Sequence, residues 1–83
     1  MHLAHPMTNT LTQKQMTCLA FLIKYLRTEG DSHDKSGAYA KSERYFDLAD
    51  SIDLAVFAMS KGEATPKQIA LVNRHLPFEN KPF

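Results

Sequence analysis

The strongest constraint on what this chain can fold into is a four-residue pattern, Thr-x-Lys-Gln, met twice, as Thr12-Gln13-Lys14-Gln15 and Thr65-Pro66-Lys67-Gln68. In each, the threonine hydroxyl is placed to accept a hydrogen bond from the backbone N–H three residues on, while the glutamine side chain reaches back to the threonine's own N–H. Together these bonds satisfy donors that the first turn of a helix otherwise leaves orphaned, so each phrase predicts a helix start. Leu11 and Met16 flank the first box as the apolar pair that fixes the entry angle of the chain. Pro66 stands at the first helical position of the second, where its missing N–H costs nothing. The segments that follow the two boxes diverge, and no internal repeat is implied.

Glycines punctuate the rest. A first helix is predicted from the Thr12 box to about Thr28 or Glu29, ending at Gly30, because glycine takes the left-handed cap conformation without a Cβ penalty. Residues 31–37, Asp-Ser-His-Asp-Lys-Ser-Gly, read as a polar, turn-rich connection. A second helix is expected from the region 38–42 to Ser60 or Lys61, closed by Gly62, and a third from Pro66 to about His75, stopped by Pro77. No stretch alternates apolar and polar residues with the period of a strand. The expected fold is all-α: a small three-helix bundle over residues 11–77, a flexible leader over 1–10 and an extended tail over 78–83. Phe78 and Phe83 in that tail either strap it to the bundle or dock on another protein.

Composition narrows the classes of function. Hydrophobic residues make up 43% and charged residues 23%, near globular averages, so the chain is expected to fold. A net charge of +1 argues against recognition of nucleic acid by bulk field, which usually needs a marked basic excess. The single cysteine, Cys18, lies in an apolar run and reads as a small buried hydrophobe; it permits no internal disulfide and suits a reducing compartment. No apolar run approaches the ~20 residues of a membrane span, and no secretory signal pattern is present. The expected location is cytoplasmic, without a membrane partner.

The helical wheels supply the candidate surfaces. At 100° per residue, Met16, Leu19, Leu22, Ile23 and Leu26 share one face of the first helix, and Cys18, Phe21 and Tyr25 widen it past half the circumference. Only a strip around Thr17, Lys24 and Arg27 stays polar. Such a helix must be covered on two sides, either by two helices of its own chain or by another chain that meets Phe21 and Tyr25. The second helix has a core face of Tyr45, Leu48, Ala49, Ile52, Ala55, Val56 and Met59. On a different side run Phe46, Asp50, Asp53 and Phe57, two aromatics around two carboxylates, a composition suited to protein binding unless Phe46 and Phe57 touch the tail or the 31–37 segment. The third helix points Ile69, Leu71, Val72 and Leu76 inward, and Lys67, Asn73, Arg74 and His75 outward.

Chemistry-bearing patterns are absent from the sequence. His2, His5, His33 and His75 are scattered without the spacing of a zinc site, and Asp31-Ser32-His33-Asp34 brings too few ligands for a metal. Glycine is too sparse for a phosphate-cradling loop, and no local motif orders a nucleophile and its base. No catalytic residue, metal, cofactor or small-molecule substrate is therefore assigned.

Over about twenty residues, Leu11-Thr12-Gln13-Lys14-Gln15 followed by Leu22-Ile23-Lys24-Tyr25 and Gly30 resembles the first helix of the LexA-type repressor DNA-binding domain. After Gly30 the chain departs from that pattern: the Pro-Ser or Pro-Thr opening and the short second helix are missing, so no DNA-contacting role is carried over. In size and in its wide apolar helix the chain is also similar in type to phage-encoded accessory proteins that inhibit a host or defence enzyme. The resulting expectation is a non-enzymatic protein–protein interaction module, self-associating or binding another protein, with Phe21, Tyr25, Phe46, Asp50, Asp53 and Phe57 as contact residues. The alternative is a small helix-turn-helix-like nucleic-acid binder using Lys67, Asn73, Arg74 and Lys81.

Overall fold

A computed structural model describes residues 11–76, and the expectations placed on residues 1–10 and 77–83 lie outside the described residues. Three helices follow in order, α1 (Gln13–Lys35), α2 (Tyr39–Ser60) and α3 (Pro66–His75), with no strand among the described residues. The all-α three-helix fold is as expected. Contacts pairing Arg27 with Asp50, Gly30 with Phe46 and His33 with Tyr45 run α1 and α2 antiparallel, and α3 packs against α2 near the hairpin's open end.

Both helix-opening boxes form. Gln15 N donates to Thr12 Oγ1 at 3.1 Å and Thr12 N donates to Gln15 Oε1 at 2.7 Å. At α3, Gln68 N donates to Thr65 Oγ1 at 3.2 Å and Thr65 N donates to Gln68 Oε1 at 2.9 Å. These bonds close within four residues of chain, which is why local sequence suffices to place them.

The end of α1 departs from expectation. The helix does not stop at Gly30; it continues to Lys35, so most of the stretch anticipated as a loop is helical and carries an ion pair one turn apart, Lys35 Nζ to Asp31 Oδ2 at 3.1 Å. Gly30 is buried inside the helix, and a Cβ there would lie 3.0 Å from the Cε2 and Cζ atoms of Phe46. Its bareness serves the close approach of an aromatic ring from α2, not the termination of α1. Termination falls to Gly37, at φ 89°, where Gly37 N donates to Asp34 O at 3.1 Å and Ala38 N to His33 O at 2.8 Å. That pair of bonds is the six-to-one and five-to-two pattern of a Schellman cap. Gly62, at φ 72°, ends α2 in the same way, with Gly62 N on Met59 O at 3.1 Å and Glu63 N on Ala58 O at 2.9 Å.

The core draws on every helix. Leu19 of α1, Ile52 and Met59 of α2 and Val72 of α3 are fully enclosed, with Leu11, Leu26, Ala49, Ala55 and Leu76 filling between them. Removing each of the four large side chains from water contributes about 1.5–3 kcal/mol. The far end of the hairpin, beyond α3, is closed by His33 stacked on Tyr45 at 5.3 Å between centroids. Among the described residues, no helix is long and apolar enough to cross a membrane.

Candidate functional site

The hairpin hides too little of its aromatic surface. Phe21 and Tyr25 on α1 are 69% and 56% exposed, and on α2 Leu54 and Phe57 are 64% and 60% exposed. The cause is arithmetic: α1 is apolar round more than half its circumference, α2 covers one side of it, and the ten-residue α3 reaches only part of the hairpin.

The six residues expected to form one contact surface fall into two groups. Arg27 meets α2, and Tyr25, two residues earlier, is rotated about 200° round the helix, so Phe21 and Tyr25 face away from Asp50 and Asp53. Phe46 leaves the exposed set, since it is half-buried with its ring on Gly30. Phe57 stays in the open, its face met by Lys61 Nζ at 4.9 Å from the ring centroid. Asp50 and Asp53 are not free carboxylates: Arg27 Nη2 reaches Asp50 Oδ1 at 3.2 Å and Asp53 Oδ2 at 3.6 Å. All three side chains remain substantially exposed, so the bridge contributes little to stability, but it fixes both carboxylates beside Leu54 and Phe57.

Leu54 is a residue that the sequence reading did not single out. It lies about 140° round α2 from the buried Ala49, off the core face, and that position on the wheel was the available signal. It links the Phe57 side to a groove of about 500 Å³ between α2 and α3. Leu48, Leu54 and Leu71 supply apolar walls, Ser51, Thr65 and Gln68 supply polar ones, and Lys67 and Arg74 supply charge. An adjoining depression of about 230 Å³ shares Leu48 and adds Lys41, Arg44 and Tyr45. Another, of about 440 Å³ along α1 beside Arg27, is lined among the described residues by α1 alone, as a surface furrow.

The residues of the nucleic-acid alternative separate in the same way. Lys67 and Arg74 share the groove, whereas Asn73 is half-buried, and its Oδ1 is enclosed without a hydrogen-bond partner among the described residues. It is therefore turned inward, contrary to the expected solvent-facing position. Lys81 lies outside the described residues. Burial, with the adjacent Arg74 guanidinium adding to it, holds the His75 imidazole below its ordinary pKa. Among the described residues, no group of three His, Cys, Asp or Glu side chains converges as a metal site. Comparison with protein-family models, with curated proteins and with solved structures finds no match to this chain.

Proposed function

We propose that this chain is a small, non-enzymatic protein–protein interaction module. The observation that carries the reading is the exposure of Phe21, Tyr25, Leu54 and Phe57, each more than half in water although large enough to anchor an interface. Burying such a side chain against a partner contributes about 1.5–3 kcal/mol, and aromatic anchors commonly dominate the energy of an interface. The Arg27–Asp50–Asp53 cluster beside Phe57 acts on orientation. Its charges are held in place before a partner arrives, so fewer side chains must be ordered on binding. The partner is a second copy of the chain or another protein.

Photo-crosslinking tests the reading. A benzoyl-phenylalanine in place of Phe57 or Phe21 should yield protein adducts in cells expressing the chain, and the same group at exposed Glu63 should not. Purified chain examined by light scattering across a concentration series separates self-association from a heterologous complex. Adduct yields that are equal at all three positions, or nil at all three with a monomer throughout, would sink the proposal.

A further inference from the structure

We infer that the groove between α2 and α3 takes an acidic, amphipathic helical segment of a partner protein. The inference rests on the interaction reading above and names its partner's chemistry. Two independent features of the groove define that chemistry: leucine walls, and a charge of one sign.

Leu48, Leu54 and Leu71 offer apolar contact from two helices, a geometry that accepts the side chains of a third helix laid between them. Among the described residues the charge is of one sign: no carboxylate lines the groove or the depression that adjoins it at Leu48, whereas Lys67 and Arg74 line the first and Lys41 and Arg44 the second. None of these four cations makes an ion pair among the described residues, while Arg27, Lys35 and His33 each have an acidic partner. A segment carrying glutamates or aspartates beside its apolar anchors would fill the groove and satisfy its rim together. The ten residues of α3 span roughly 15 Å, which limits the contact to about three turns of a partner helix, with anchors at i, i+4 and i+7.

The same surface is poorly made for nucleic acid. Its walls are leucines, which give no flat face for base stacking.

The test uses the full chain and two labelled synthetic helical peptides with identical leucines at i, i+4 and i+7, one flanked by glutamates and one by lysines. Fluorescence polarisation should show the glutamate peptide binding at least tenfold more tightly, with affinity falling as salt rises. The double variant Lys67→Glu, Arg74→Glu, checked for an unchanged helical circular dichroism spectrum, should weaken the glutamate peptide at least tenfold and improve the lysine peptide. Leu54→Ala should weaken both. Equal affinities for the two peptides, no binding of either, or indifference to the double charge reversal would overturn the inference. So would preferential binding of a DNA or RNA oligonucleotide that the double reversal abolishes. If crosslinks persist at Phe57 or Phe21 while the peptides fail, only the groove assignment falls; if both experiments fail, the interaction reading falls with it.

Discussion

Replacing Gly30 by alanine sets two effects of known size against each other. Within a helix, alanine is more favourable than glycine by about 1 kcal/mol. Against that, the added methyl meets three atoms of the Phe46 ring at 3.0–3.1 Å, closer than ordinary van der Waals contact, so the ring must retreat by a few tenths of an ångström. Forcing a methyl into a packed contact costs about 1–3 kcal/mol. The expected net change is a loss of about 0–2 kcal/mol, which near the midpoint lowers the melting temperature by up to about 8–16 °C for a domain of this size. In a Phe46→Ala background the obstruction is gone, and Gly30→Ala should stabilise by about 1 kcal/mol. The cycle formed by the two single variants, the double variant and the native chain isolates a coupling of about 1–3 kcal/mol. Urea denaturation followed by far-ultraviolet circular dichroism measures it, provided the slope with denaturant is constant across the four proteins. A gain of about 1 kcal/mol in both backgrounds would mean the ring does not rest on residue 30. A loss of similar size in both would mean residue 30 needs the left-handed conformation and α1 ends there. Either result refutes the packing described for the hairpin.

Gly37→Ala and Gly62→Ala should each cost about 1–2 kcal/mol by thermal or urea denaturation, and removing Phe46 should not change that cost. Both residues hold left-handed backbone with no atom near a Cβ, so the penalty is conformational and local. Ile52→Ala, which empties a fully enclosed site, should cost about 2–5 kcal/mol, whereas Leu54→Ala two positions on should shift stability by less than about 0.5 kcal/mol. Burial and Arg74 lower the His75 pKa in the folded state, so between that value and the unfolded 6.5 the unfolded chain binds more protons. Stability should therefore be fully present above pH 6.5 and decline as pH falls through this window, and His75→Gln should flatten that decline in melting temperature measured from pH 7.5 to 5.

Much of the helical layout was legible from residues close together in the chain. Thr12 with Gln15, Thr65 with Gln68, and Gly62 each complete their hydrogen bonds within five residues, and each stands where local chemistry put it. The candidate surface was legible only in part. The helical faces marked Phe21, Tyr25 and Phe57 as either covered by the chain's own helices or open to a partner, and only the fold shows them exposed; nor did anything local distinguish Phe46, equally aromatic and about three turns before Phe57, as the ring that folds onto Gly30. Asp50 and Asp53 could be placed on one side of α2, but Arg27, on another helix and 23 residues from Asp50, could not be matched to them.

Amino-acid order alone thus determined where α1 and α3 begin, how α2 closes and that α1 carries an apolar face wide enough to need cover on two sides, because caps and helical faces are short-range properties of the backbone. Tertiary structure decided which of two glycines ends α1, which aromatic is sheltered and where Leu48, Leu54 and Leu71 meet Lys67 and Arg74 in one groove. Those outcomes depend on the relative placement of helices, which is settled by how side chains from distant parts of the chain pack against one another, and no short stretch of sequence contains both partners.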